Sequence, residues 1–211
     1  MIDAYHHGDL RRAVLDRAVQ VIAADGADAL SLRALAADLG VSHTAPRHHF
    51  VSRQALLTAV ATEGFRELRS RLDRIREAGG SFGDVGVGYV EFALDRPAHF
   101  SVMFTPAALD LDDPELDQAM DAAFALLRQG VDELPDPAAR EDAAAAVIAS
   151  WSLVHGLATL ALTGNLDKAR VRALVADGDI LDLARRSVGM LFGSSMPKAQ
   201  PDRKEPDHVS Q

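Results

Sequence analysis

Apolar positions recur at three- and four-residue spacing along nearly the whole chain, the period of helices that bury one face. Val14, Leu15, Ala18, Val21 and Ile22 share such a face, with Asp9 as the expected N-cap, a helix to Asp25 and Gly26 as the stop. Leu32, Leu35, Ala36 and Leu39 form a second stripe between Ser31 and Gly40. A very short third segment is expected over 42–49. Ser52 then caps a long helix over about 53–78, whose stripe is Leu56, Leu57, Val60, Ala61, Phe65, Leu68, Leu72 and Ile75, and Gly79-Gly80 ends it.

Glycine and proline punctuate the remainder. A helix is expected over 82–95, although Gly83, Gly86 and Gly88 each weaken it. Pro97 opens the next helix, which turns Phe100, Met103 and Phe104 to one side, and Pro106 closes it. After a loop over 107–113, Asp113-Pro114 starts a helix reaching about 134. Pro135 and Pro137 separate that helix from a long one over 138–162, ended by Gly164-Asn165. A turn of helix near 170–175 and a last helix over 179–192 complete the pattern. Residues 194–211, with three prolines and no apolar period, are expected to be a disordered tail. The fold class predicted is all-α, with about nine helices.

Composition narrows the chemistry. Hydrophobic residues make up 48% of the 211, ample for a buried core, while aromatics are only 5%. There is no cysteine, so disulfides, thiolate nucleophiles and Cys-ligated metals are excluded. No signal peptide or membrane span is expected, and the chain reads as cytoplasmic. The net charge of -9 falls wholly outside residues 1–53, where Arg11, Arg12, Arg17, Arg33, Arg47 and Arg53 balance Asp3, Asp9, Asp16, Asp25, Asp28 and Asp38. An acidic body repels a polyanion; a neutral head, which also holds five of the eight histidines, need not.

Residues 31–49 carry the informative motif. A helix, the tight turn Leu39-Gly40-Val41-Ser42 and a second short helix make a helix-turn-helix, in which Gly40 takes the turn, Val41 plugs the angle and Ser42 caps. The short helix carries His43, Thr44, Ala45, Arg47 and His48, free of large apolar side chains and so able to enter a major groove. An ordinary αα-corner would show the same spacing. Ser31, Arg33, Ser42 and Arg53 stand at helix N-termini, where side chains and free N–H groups take phosphates. For Arg33 a solvated surface role fits equally well. Pro46 lacks the N–H of the first intrahelical bond and disfavours αR at Ala45, so the first turn should be irregular.

Asp9-Leu10-Arg11-Arg12-Ala13-Val14-Leu15-Asp16, Asp25-Gly26, Ser31-x-x-x-Leu35-Ala36-x-x-Leu39-Gly40-Val41-Ser42 and His49-Phe50-x-x-Arg53-x-x-Leu56-Leu57 resemble the TetR family of transcriptional regulators. Farther on, Trp151-Ser152-Leu153-Val154-His155-Gly156-Leu157 resembles the Trp-x-x-x-His-Gly signature of one C-terminal subtype, which Tyr5-His6-His7-Gly8-Asp9-Leu10 often accompanies. The chain departs from the family at Arg47, where a phosphate-contacting tyrosine is usual; arginine can hold a phosphate or read a guanine edge.

The resemblance implies an N-terminal three-helix helix-turn-helix DNA-binding domain over 1–53 and a helical effector-binding and dimerisation domain over 54–193. It implies a homodimeric regulator of double-stranded operator DNA, most often a repressor released by a small-molecule effector. An all-α small-molecule binding protein without specific operator binding is the other reading. Phe65, Leu68, Phe92, Phe100, Met103, Phe104, Phe124, Trp151 and His155 are the candidate effector pocket, each of which could equally be plain core. His155, four residues after Trp151, either orients a ligand or is a satisfied core histidine. Neither His6-His7 nor His48-His49 can chelate alone, since neighbours on a helix diverge by about 100°, and no metal site, cofactor or catalytic group is expected.

Overall fold

The computed structural model describes residues 7–135, 137–167, 171–172 and 179–192. The tail over 194–211 and four of the six residues of the expected turn at 170–175 lie outside the described residues; 171–172, which are described, are helical. The rest is helical, with no strand among the described residues: α1 (His7–Asp25), α2 (Leu32–Asp38), a single 3-10 turn (Ala45–His48), α3 (Arg53–Glu77), α4 (Phe82–Asp95), α5 (Pro97–Met103), α6 (Pro114–Asp132), α7 (Pro137–Glu141), α8 (Ala143–Leu162) and α9 (Ile180–Phe192).

Side-chain caps set several of these boundaries. Ser52 Oγ accepts from Ala55 N at 3.0 Å to open α3, Ser81 and Asp84 cap each other's backbone at α4, and Asp113 accepts from Glu115 N and Leu116 N at α6. Four expectations need correction. α1 starts at His7, two residues before the expected cap at Asp9. The single helix expected over 138–162 is broken, because the Asp142 carboxylate accepts from Ala145 N (3.0 Å) and starts α8 afresh after the short α7. Pro106 opens a 3-10 turn of its own (Pro106–Ala108) instead of closing α5, which ends earlier at Met103. The third helix of the head is no α-helix but one 3-10 turn that follows Thr44 without a side-chain cap, and Ser42 pairs its hydroxyl with Thr44 (3.2 Å) in place of capping.

The head packs Val14, Leu15, Ala18 and Ile22 of α1 with Leu35 of α2, Phe50 and the first turns of α3. Gly40 takes a φ of 65°, the left-handed value the helix-turn-helix corner requires. The boundary drawn at 53/54 falls at the start of α3, and one buried cluster runs through it into the body. There α3 packs against α4, α5 and α6, while α4 is held between α3 on one side and α8 and α9 on the other. The glycines that weaken α4 permit that sandwich: a Cβ at Gly88 would lie 2.2 Å from Ile75 Cδ1, and one at Gly86 would lie 3.2 Å from Val154 Cγ1.

By length and composition, α8 is apolar enough to cross a membrane, which the expectation of no span overlooked. One stripe of it, Val147, Ser150, Val154 and Ala158, is buried in the protein, and α8 packs on α4, α6 and α9.

Gly64 marks a close approach of α3 and α5. A Cβ there would sit 2.5 Å from Met103 Sδ and 3.1 Å from His99 Cβ. Overpacking of this kind costs about 1–3 kcal/mol, against a gain of about 1 kcal/mol in helix propensity. Gly64→Ala should therefore lower the thermal midpoint, by ~2–4 °C for each net kcal/mol, in a calorimetric scan. An unchanged or raised midpoint would mean that Met103 moves aside at no cost.

Candidate functional site

The head presents fewer free cations than its arginine content suggests. Arg12 pairs with Asp16 and with Glu63 (2.6 Å), and Arg17 pairs with Asp38 (2.9 Å). Arg53, expected at a phosphate, is turned inward: its Nη2 donates to Ala27 O (2.7 Å) and approaches Asp28 (3.3 Å), and its Nε is enclosed without a partner. It ties the start of α3 to the turn after α1. Arg11, Arg33 and Arg47 have no carboxylate partner among the described residues, and all three are exposed. Arg11, which the sequence reading passed over, lies over the Phe50 ring at 5.3 Å.

The turn after the helix-turn-helix corner exposes most of the candidate DNA-binding side chains. Pro46 is fully buried, Ala45 is half-buried, and Ser42, His43, Thr44, Arg47 and His48 are exposed. Ser31 is exposed at the start of α2, where its hydroxyl lies 3.5 Å from Ala34 N. Pro46 explains the short turn. It supplies no N–H, and its carbonyl accepts from both His49 N (3.0 Å) and Phe50 N (2.9 Å), which closes the turn into the long helix.

A polar group joins head to body. Glu63 on α3 accepts from Arg12 of α1 and from His99 Nε2 of α5 (3.3 Å), while Arg96 holds Glu67 (2.8 Å). The His99 hydrogen bond and the Arg12 guanidinium hold the Glu63 carboxyl below its ordinary range, against burial, which pushes it up. Glu63, Glu67 and His99 bring their ligand atoms within 4.8 Å of one another, a set that could serve a cation. Here two guanidiniums already neutralise the two carboxylates. His48 and His49 lie in the head away from this group, and the side chains of His6 and His7 lie outside the described residues.

The body holds a cavity of about 660 Å³, within the range of small-molecule sites. Seven of the expected pocket residues line it: Phe65, Leu68, Met103, Phe104, Phe124, Trp151 and His155. Two do not. Phe92 is 1% exposed and packed as core, one turn beyond Tyr89 on α4, and Phe100 stands behind the wall, stacked on His155 at 5.3 Å. Tyr89 was missed, although Phe82, Val85, Gly86 and Tyr89 follow helical spacing along α4 and all four line the cavity. Met120 and Phe124 of α6 are exposed at its mouth.

The wall is an aromatic cluster with one polar seam. Phe104 meets His155 edge-on at 4.6 Å and Phe65 edge-on at 5.8 Å. Tyr89 Oη lies 2.9 Å from His155 Nδ1 and 3.3 Å from Trp151 Nε1. Burial raises the Tyr89 pKa and lowers that of His155, so both are uncharged near neutrality.

A helix-turn-helix head sharing a long helix with a cavity-bearing helical body defines a class of DNA-binding regulators that respond to ligands. Residues 14–60 match the model described as bacterial regulatory proteins, tetR family, and residues 82–183 match that described as tetracyclin repressor-like, C-terminal domain. A protein of unknown function from Rhodococcus sp. RHA1 is 33% identical, with a TM-score of 0.69 over 91% of this chain and 100% of its own. An uncharacterised HTH-type transcriptional regulator of Mycobacterium tuberculosis is 28% identical over 79% of this chain and 77% of its own. The TetR family transcriptional regulator PfmR from Thermus thermophilus, at 16% identity, shares the fold with a TM-score of 0.55 over 87% of this chain and 98% of its own. The chain belongs to the TetR family of transcriptional regulators.

Two outcomes follow from these positions. Arg47→Ala should weaken DNA binding and, if the side chain meets a phosphate, lower the log–log salt slope by about one; a guanine contact would instead relax one base position. Arg53→Ala should act mainly on stability, and equal effects of the two on the salt slope would show that Arg53 swings out to DNA. His155 supplies the second. Its imidazole stays neutral in the fold, whereas in the unfolded chain it takes a proton near its ordinary 6.5, so stability falls as pH drops through that value. The thermal midpoint should fall between about pH 7.5 and 5, and His155→Phe should remove part of the fall, as thermal scans at each pH would record. An unchanged pH dependence in the variant would mean that His155 titrates alike in both states.

Proposed function

We propose that this regulator is a cytoplasmic homodimeric repressor, released from its operator when a small molecule occupies the body cavity. The observation that carries this reading is that one helix serves both units. α3 buries Leu56, Leu57 and Val60 in the head and lines the cavity with Phe65, Leu68 and Leu72. A ligand that pushes on this wall tilts the rod that carries the head. α5 strengthens the coupling, because its last residue, Met103, and the Phe104 that follows line the cavity while His99 reaches Glu63 and, through it, Arg12 of the head.

Dimerisation follows from apolar surface left uncovered. Ile148 (54% exposed), Leu160 (42%) and Leu162 (38%) on α8 and Met190 (86%) on α9 suit a symmetric four-helix interface with a second copy. Two heads so joined must meet successive major grooves, about 34–36 Å apart or a related spacing. A change of a few ångströms between them suffices for release.

Light scattering at micromolar concentration should return twice the chain mass. Selection from random duplexes should yield an inverted repeat with half-sites about one helical turn apart. Binding no tighter to selected than to random duplexes would favour the small-molecule binding protein without an operator. An effector found by its release of the selected duplex must bind more weakly when that duplex is present, by the same factor. Trp151→Ala should blunt release while keeping effector-free operator affinity within about a factor of a few. A monomer, or normal release in that variant, would overturn the corresponding part.

A further inference from the structure

Three side chains at the inner wall of the cavity are linked end to end, and counting their protons shows what the last one offers. Trp151 Nε1–H can only donate, and the Tyr89 oxygen lies 3.3 Å from it. The same oxygen is 2.9 Å from His155 Nδ1. With a proton on Nδ1, the Tyr89 oxygen would accept twice and its own proton would be stranded in a side chain only 7% exposed. Buried donors without partners are costly. The order that strands nothing runs from Trp151 to Tyr89 to His155, so Nδ1 accepts and the proton of the neutral imidazole sits on Nε2.

That second nitrogen is free to act. Nε2 of His155 has no partner among the described residues, and unlike Nδ1 of His99 it is not enclosed. Phe100 stacked at 5.3 Å and Phe104 edge-on at 4.6 Å hold the ring in place. Burial keeps the imidazole uncharged near neutrality. No lysine or arginine lines the cavity among the described residues, and the one carboxylate, Asp121, stands at the exposed rim. An anion would lose its hydration without a counter-charge, and a cation would meet a donor at the inner end.

We propose that the effector is an uncharged, largely apolar molecule bearing one hydrogen-bond acceptor, a ketone, ester or lactone carbonyl, which accepts from His155 Nε2–H. This rests on the reading of the cavity as the effector site. Trp151 and Tyr89 act as positioning residues, setting which imidazole nitrogen carries the proton. His155 makes the contact.

Trp151 is the only tryptophan, so its fluorescence reports occupancy directly. Saturated rings serve as probes, with the ketone's weak carbonyl absorption corrected against free tryptophan: cyclooctanone, cyclooctane, cyclooctanecarboxylate and cyclooctylammonium, titrated into the full chain. Cyclooctanone should bind about threefold to tenfold tighter than cyclooctane and tighter than either ion. His155→Phe should bring the ketone-to-hydrocarbon ratio to about one, and Tyr89→Phe should lower it. In the wild-type protein, the ¹⁵N spectrum of the His155 ring should show Nδ1 unprotonated and Nε2 protonated, which keeps the test independent of how the variants fold. Equal binding of ketone and hydrocarbon would overturn the proposal and leave the cavity as an effector site. Tightest binding of either ion, or a proton on Nδ1, would also overturn it. No binding by any probe would remove the effector-site reading and the proposal together.

Discussion

A helix packed into two units cannot shift in one without being felt in the other, and α3 is such a helix. Its 25 residues span roughly 38 Å at about 1.5 Å per residue, long enough to begin inside the head and end beyond the cavity. Leu56, Leu57 and Val60 are fully buried, and Phe65, Leu68 and Leu72 are nearly so. Packed interiors resist graded deformation and respond instead by moving between discrete arrangements. The rest of the architecture serves this rod: α1 and α5 grip it near the head, and α4 and α6 enclose its farther half.

The polar groups around α3 work under the same constraint. Glu63 sits where head and body meet and takes donors from both, Arg12 from α1 and His99 from α5. Its carboxylate is partly withdrawn from solvent, so these contacts are worth more than the exposed pairs farther along, such as Arg66 with Glu115. Removing one partner would leave the others poorly satisfied, which is why such a group holds a geometry even when its net stabilisation is small. Pairing of Arg12, Arg17 and Arg53 with carboxylates also leaves Arg11, Arg33 and Arg47 as the head's exposed arginines without a carboxylate partner among the described residues. Counting arginines along the head would double that number.

The cavity shows how a body with little aromatic content concentrates it. Phe65, Phe104, Trp151, Tyr89 and His155 come from α3, the end cap of α5, α8 and α4, and they meet at ring separations between 4.6 and 6.3 Å. Rings at these distances stay rigid and leave a shaped void, which small aliphatic side chains would close by collapsing. Gly86 and Gly88 let α4 approach its neighbours closely enough to place Tyr89 against His155.

Periodicity and punctuation were enough to read the helices, their all-α class and the helix-turn-helix, because each depends on local spacing: an apolar face every three or four positions, a capping oxygen, a glycine at a turn; that seven of the nine candidate pocket residues line one cavity was reached through the family resemblance instead. The irregular recognition segment was legible for the same reason, since Pro46 acts on its own neighbours. What spacing could not reveal is which side chains meet across distant elements. Arg53 has the position of a phosphate ligand, but Ala27 O, twenty-six residues earlier, claims it. Phe92 and Tyr89 stand three residues apart on α4, close enough in phase to be assigned together, yet one packs into core and the other faces the cavity. Asp142 broke a helix that composition alone would have carried through. The sequence by itself determined where the chain is helical and where it turns, since those are contests between neighbours. Only the tertiary structure decided which arginines stay free and which nitrogen of His155 meets Tyr89, because a side chain's partners are set by what the fold brings within hydrogen-bonding distance.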